Sequence, residues 1–514
     1  VLLGLLYFAA ELRARRGVAL QIAEHLSQSR AELAEAQAHN RRVEELRQSA
    51  FAAFDRRDDA GGERLWDQMQ ALDAEARLAY RRANKSAEAA FMLDNQRKDV
   101  RETLATVLSE RAQVVERNHF LVQRDELLQR LWLFDSDGSY RRCWYAPSVL
   151  TLTSDPPGAT VTVTPIDEQH RLRSAARREL GATPLAPLEL EPGSYVLALS
   201  LPGRVPVRYP FQSLRGEHLV LAVRLPTPAE VPPGFVYIPP GRSLFGSDVE
   251  DGQRRDFLFH VPIHPRDTPA FLIAQHETTY GEWLDYLRAL PPAERALRLP
   301  HSTQAGLSGY IEVQPRPNNR FALIMQPTDH AYSAEEGSRL RYAARPLHAP
   351  PGGPPPPDRQ EQDWLRLPVS GISSEDARAY TSWLDRSGRV PGARLCTERE
   401  WERVARGADE RHYPHGDQLL PEDADFDQTY GQDPRGMGPD EVGSHPASRS
   451  LFGVDDLVGN VFEWVENSVS QKPFALRGGA YTFGARTCRI DNRFEAYPTM
   501  RNLTVGLRVC VTIR

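Results

Sequence analysis

From residue 11 to about residue 135, apolar residues return every three or four positions. Ala19, Ile22, Leu26, Leu33 and Ala36 fall on one helical face. Further on, Val100, Leu104, Val107, Val114, Leu121 and Leu128 keep a heptad-like rhythm, which Arg111, Asn118 and Asp125 interrupt where a zipper wants apolar groups. No proline precedes Pro147, and Ala, Glu, Leu, Arg and Gln dominate. The pattern predicts a helical stalk over residues 11–135, broken at Gly61-Gly62. The interrupted seam suits an intramolecular helical hairpin better than a long dimeric zipper.

After Asp135-Ser136-Asp137-Gly138 the period changes to two. Val149 to Val163 (VLTLTSDPPGATVTV) alternates, turns at Pro-Pro-Gly and alternates again. Leu188 to Leu201 (LELEPGSYVLALSL) repeats strand, Pro-Gly turn, strand, and Leu219 to Leu225 makes a last strand. A small all-β module over 149–226 is expected. At 514 residues the chain exceeds one core, and about three domains are expected.

Composition excludes more than it selects. The net charge of −6 is mild, and no basic stripe points to nucleic acid. Four cysteines without a C-x-x-C fit neither a disulfide-dense scaffold nor a zinc site. Because it begins at valine, the sequence is expected to be a fragment or a processed piece. Val1 to Ala10 (VLLGLLYFAA) is apolar but too short to span a bilayer, which takes about 20 helical residues. It is either the start of a buried helix or the trailing part of a transmembrane helix. Arg13, Arg15 and Arg16 would hold its flank in the cytoplasm, which conflicts with an outward-facing remainder.

The stretch richest in chemistry is Leu451 to Glu466 (LFGVDDLVGNVFEWVE), answered by Leu476 to Arg486 (LRGGAYTFGAR). Gly459 permits a backbone shape that a Cβ resists, and Asn460 can bond its own backbone neighbours. Glu463, between Phe462 and Trp464, needs a cation or a hydrogen-bonding partner such as Arg477 or backbone N–H groups.

These two pieces resemble the signature of the formylglycine-generating enzyme (sulfatase-modifying factor) family. Further matches follow in order: Gly234 to Gly241 (GFVYIPPG), Ile273 to Leu287 (IAQHETTYGEWLDYL), Leu367 to Trp383 (LPVSGISSEDARAYTSW, with Ser374 where tryptophan is usual), Arg394 to Gly407 (RLCTEREWERVARG) and Val505 to Cys510 (VGLRVC). The resemblance covers roughly 231–514 and implies a C-type-lectin-like α+β domain. An insertion at about 288–366 carries IEVQPRPNNRFALIM and then His348 to Asp358, a flexible or PPII-like loop, and an insertion on a loop-rich scaffold is where binding specificity tends to reside. The β module resembles the PEGA domain, through Pro156 to Ala159 (PPGA), Thr183-Pro184 and Pro192-Gly193-x-Tyr195, and PEGA modules are usually found in envelope or surface proteins.

The family's enzyme oxidises a sulfatase cysteine to formylglycine with O₂, using two cysteines five residues apart that hold copper; soft thiolates suit Cu(I). Aligned on Arg477-Gly478-Gly479, the first cysteine falls on Phe483 and the second on Cys488. The resemblance therefore implies an incomplete oxidase pair and no copper. Cys488 is then a small buried residue, a partner for Cys396 or Cys510, or a lone redox thiol. Another branch of the wider family builds an iron site from His-x-x-x-His plus a further His on a helical bundle. Here His412 and His415 are spaced by three in HYPHGD, which matches a structural turn, and His276 has no second ligand nearby.

Family members also bind calcium around VGNVWEW. The matching positions are the carbonyls of Val458, Gly459 and Val461 and the side chain of Glu463; Asp425 matches a second site. Arg486, Arg489, Asn492 and Arg493 lie in the segment lining the family's substrate groove, and each either binds ligand or braces a carboxylate. The expectation is a non-catalytic ligand-binding or sensory module, anchored in a bacterial envelope and binding a protein, peptide or glycan. The alternatives are the C-terminal sensor half of a membrane-bound bacterial serine/threonine kinase, and an active oxidase. No glycine-rich loop with a VAIK lysine, no HRD and no DFG occurs in the chain.

Overall fold

The structure is a computed structural model that describes residues 2–302, 309–342 and 361–513. The chain forms two compact units, Val1–Ala146 and Pro147–Arg514.

The first unit is helical: α1 (Leu2–Asp55), α2 (Asp59–Leu93), α3 (Lys98–Arg117), α4 (Leu121–Leu131) and α5 (Ser139–Trp144). α1 and α2 form an intramolecular hairpin. Ile22, Leu26, Leu33, Ala36 and Val43 are buried on one helix, and Ala76, Ala79, Ala83, Ala87 and Ala90 on the other. Alanines at this seam let the backbones approach, and Ser29 Oγ reaches the Ala83 carbonyl at 2.8 Å. Arg82 joins Glu35 at 2.8 Å from the polar side.

The hairpin turns at residues 56–58, before the glycine pair. Asp58 caps α2 by accepting from the Gly61 N–H, and both glycines lie in the first turn of the helix. They serve close approach: a Cβ on Gly62 would stand 2.5 Å from the Phe54 ring. The helical unit also runs past residue 135, because α5 and buried Trp144 complete its core. The heptad rhythm breaks between α3 and α4, leaving Leu121 exposed. Among the described residues no helix is long and apolar enough to cross a membrane.

In the second unit the first strands make two facing sheets. β1 (Ser148–Asp155) lies between β4 (Leu188–Leu190) and β7 (His218–Arg224). β2 (Thr160–Pro165) and β5 (Gly193–Ser200) lie between β3 (Arg178–Ala182) and β6 (Val207–Ser213). Leu150, Leu152, Val161, Val163, Leu197 and Leu199 fill the space between them. The sequence's turn signals converge: Thr183 Oγ1 accepts from the N–H groups of Gly158 and Ala159 at 3.1 and 3.0 Å. The module is not a separate bead. Tyr237, Leu272 and Val511 from the rest of the unit belong to the same apolar cluster. His170 also pairs with Asp417 at 2.8 Å, and Arg171 with Gln418 at 3.0 Å.

The remainder is α+β with several small sheets. Three family-like segments are helix starts: Tyr280–Ala289, Ser374–Arg386 and Glu398–Arg406, each closed by a capping box. Phe462–Glu466 runs antiparallel to Phe474–Arg477 and parallel to Val505–Leu507. The region expected as an insertion adds a three-stranded antiparallel sheet, Tyr310–Arg316, Arg320–Gln326 and Tyr332–Glu335. Its Ile311, Val313, Phe321, Leu323 and Met325 join the main core with Trp283, Trp364 and Trp464, so this part is structural. His348 to Asp358 lies outside the described residues.

Candidate functional site

The two signature pieces meet at a corner. Gly459 takes φ +76°, and its N–H donates to the Gly478 carbonyl at 2.9 Å. A Cβ there would fall 2.1 Å from the Asp425 carbonyl oxygen. Asn460, also at positive φ, donates its backbone N–H to that carbonyl at 2.8 Å. Its side chain accepts from the Asp440 N–H at 3.0 Å and donates to Glu277 at 3.3 Å.

One strand onward, Glu463 is buried and fully engaged. Arg508 donates to both carboxylate oxygens, at 2.7 and 3.0 Å, and Trp401 Nε1–H donates at 2.8 Å. The Arg508 guanidinium also donates to the carbonyls of Asp455, Asp456 and Ala274. Burial opposes its charge, but Glu463 beside it more than offsets this and holds its pKa above the usual arginine value. Arg477, directly opposite Glu463 across the strands, is not its partner. Trp401 intervenes: its ring lies 5.2 Å from the Arg477 guanidinium while its N–H serves Glu463.

Arg477 instead meets the helix Glu398–Arg406. It pairs with Glu402 at 2.6 Å and Glu398 at 3.2 Å and donates to the Ile490 carbonyl. Spacing of four puts Glu398, Glu402 and Arg406 on one face, and Arg406 closes on Glu402 at 3.0 Å. His260 adds a ring nitrogen 3.0 Å from Glu402; burial is the main force lowering its pKa. At Glu398, burial works to raise the pKa, but Arg493 and Arg477 outweigh it and hold the carboxyl below the usual range. The result is a water-excluded lattice of alternating charge behind the corner.

This lattice assigns most of the expected groove residues. Arg493 is 1% exposed, pairing with Glu398 at 2.8 Å and Glu495 at 3.3 Å and donating to the Phe259 carbonyl. Asn492 is buried and donates to the Thr487 carbonyl at 2.7 Å. Arg489 is half-buried and grips Asp491 at 2.8 Å. Arg486 alone of the four is exposed, its guanidinium 4.6 Å from the Phe257 ring centre. Phe257 and Phe259 are themselves exposed.

At the expected oxidase pair, the Phe483 ring packs edge-on against Phe462 with centres 5.2 Å apart and offers no metal donor. The Cys488 thiol is buried, donates weakly to the Phe483 carbonyl at 3.7 Å and lies tight against Gly479. Burial pushes its pKa up to about 12. Neither pairing of Cys488 forms: the disulfide joins Cys396 to Cys510 and leaves Cys488 as a free thiol.

The histidines do not converge. His415 pairs with Asp423 at 3.0 Å, His412 stands 4.0 Å from Asp417, and His276 stands 3.6 Å from Asp456. Among the described residues no group of three or more His, Cys, Asp or Glu is placed to hold a metal ion. Calcium takes six to eight oxygen ligands, whereas the Glu463 carboxylate is already met by a guanidinium and an indole N–H. Val458, Gly459 and Val461 lie beside it in the corner, and Asp425 contributes its backbone carbonyl there. These residues fit an ion-paired corner better than a calcium shell.

Sequence reading named the VGLRVC segment but missed Arg508 as the partner of Glu463. It also missed His260, although His260 and His264 in HVPIH are four apart. The polar face of Glu398, Glu402 and Arg406 inside a family-like segment was the available signal for the lattice.

Fold and corner together define a sulfatase-modifying-factor-type domain. The chain belongs to that family: its profile, described as "Sulfatase-modifying factor enzyme 1-like domain", matches residues 222–513. Among its relatives is the Bos taurus protein named "Inactive C-alpha-formylglycine-generating enzyme 2", 34% identical over 293 residues, covering 53% of this chain and 86% of that one. The Mycobacterium tuberculosis protein named "Hercynine oxygenase" is 26% identical over 281 residues, covering 48% of this chain and 54% of that one. The Chlamydia caviae protein named "Serine/threonine-protein kinase pkn1" is 32% identical over 228 residues, covering 39% of this chain and 32% of that one.

Proposed function

We propose that this chain is a non-catalytic ligand-binding or sensory module built on a formylglycine-generating-enzyme-like scaffold. The observation that carries this reading is the phenylalanine at 483, with the remaining thiol of Cys488 buried and held protonated. A two-thiolate copper site needs a second sulfur, and the other cysteines of this unit are joined to each other. A relative bearing the word "Inactive" in its name supports the reading, while the relative named an oxygenase shows that the scaffold also serves enzymes.

The ligand face on this reading is the exposed Arg486 with Phe257 and Phe259. A cation beside exposed aromatic rings suits a protein, peptide or glycan surface. The test pairs two assays. A glycan and peptide array should give a hit that Arg486→Ala or Phe257→Ala abolishes with thermal stability intact. Copper-loaded protein with a sulfatase-type cysteine peptide and O₂ should give no formylglycine by mass spectrometry; formation of the aldehyde would sink the proposal.

A second reading rests on the kinase relative: the chain as the sensory half of a bacterial serine/threonine kinase at the envelope. Kinase motifs in the same reading frame would support it. Their absence from the complete gene would remove it.

A further inference from the structure

The helical unit holds a cavity of about 180 Å³, far above the ~10–15 Å³ that admits one water molecule. Arg77, Tyr80 and Arg81 line it from α2, Arg111, Val114 and Val115 from α3, and Gln123 from α4. Spacings of three and four put each set on one helix face. Arg77 is already occupied, by Asp73 at 2.9 Å and by the Phe120 ring at 5.7 Å. Tyr80 commits its hydroxyl to Glu110 at 3.1 Å.

Arg81 and Arg111 differ. Among the described residues neither makes a salt bridge or a side-chain hydrogen bond. Arg111 is half-buried. Burial lowers its pKa first, and the cations of Arg130 and Arg81 lower it further. Glu88, the nearest compensation, is itself held by Arg130. A half-buried guanidinium without a counter-ion costs stability, and here two guanidinium groups face one space whose apolar wall is Val114 and Val115.

We propose that this cavity binds a small organic anion, a carboxylate on a short apolar or aromatic body. Arg81 and Arg111 take the charge, Gln123 adds a polar contact, and Val114, Val115 and the Tyr80 ring take the body.

The test uses the full chain in low salt, titrated calorimetrically with benzoate, with its neutral analogue benzyl alcohol and with inorganic phosphate. Benzoate should bind saturably, and the other two should bind at least about tenfold more weakly, since each lacks either the charge or the apolar body. Arg81→Gln and Arg111→Gln should each weaken benzoate by about tenfold or more. Arg81 is exposed, so its variant keeps the fold; Arg111→Gln removes an unpaired charge and should melt no lower than the wild type. Folded wild type without saturable benzoate binding would overturn the proposal. So would binding indifferent to both substitutions, or phosphate binding as tight as benzoate.

Discussion

Arg508 donates to both oxygens of Glu463, at 2.7 and 3.0 Å, with each side chain at most 1% exposed. A buried pair of this kind adds little relative to an apolar substitute, but half of it is costly. Arg508→Met leaves a buried carboxylate held only by Trp401 and should destabilise the 147–514 unit by about 3–5 kcal/mol in urea unfolding. The double variant Arg508→Met/Glu463→Gln should recover a large part of that loss. Since a guanidinium supplies the positive charge, EGTA should leave the melting temperature of the wild type unchanged. A drop on chelation would place a cation at this corner.

The thiol of Cys488 should be chemically silent. Its pKa near 12 leaves almost no thiolate at pH 8, and the side chain is buried beneath Gly479. Iodoacetamide at pH 8 should modify exposed Cys143 within minutes and leave Cys488 untouched until denaturant is added, read by peptide mass spectrometry. Rapid labelling of Cys488 in the native chain would restore the lone redox thiol as a live reading.

What could be read in advance follows from the range of each interaction. Thr279, Ser373 and Thr397 announce helix starts because a capping box is complete within four residues. The turns around Pro156 and Thr183 were visible for the same reason. The hairpin breaks at 56–58 and not at the glycine pair, because Gly62 serves the close approach of Phe54, which no local pattern records. The partner of Glu463 was out of reach: Arg508 is 45 residues away, and the nearer candidate, Arg477, is drawn off by two glutamates on a helix. Pro315 and Pro317 mask the alternation of the strands Tyr310–Arg316 and Arg320–Gln326.

Glu277 gives a pH dependence of definite sign. Burial, and then Asp456, push its pKa well above the ordinary 4.5. A carboxyl raised in the folded state holds its proton more tightly there, so its contribution to stability falls as pH rises from the ordinary value to the raised one. Glu277→Gln removes this loss and can keep the contact with Asn460. The variant should match the wild type at pH 4 and exceed it by a margin that widens as the pH is raised to 7.5. The depressed carboxyls Glu398 and Glu402 act in the opposite direction, losing stability as pH falls below the ordinary value, but equally in both proteins. An advantage that fails to grow with pH would refute the assignment.

Gly459 and Gly453 separate two costs that usually arrive together. Both lie at positive φ, +76° and +97°, so alanine at either position incurs the left-handed penalty of about 1–2 kcal/mol. Around Gly453 a new Cβ meets nothing within 4 Å, whereas at Gly459 it meets the Asp425 carbonyl at 2.1 Å. That carbonyl also accepts the Asn460 N–H, so it cannot retreat without breaking the bond that shapes the corner. Gly453→Ala should therefore cost only the conformational term. Gly459→Ala should cost at least about 2 kcal/mol more and should loosen Asn460, Asp440 and Glu277 together, seen as faster amide exchange at Asn460 and Asp440. Equal losses at the two glycines would mean that backbone shape alone, and not the contact with Asp425, holds the corner in place.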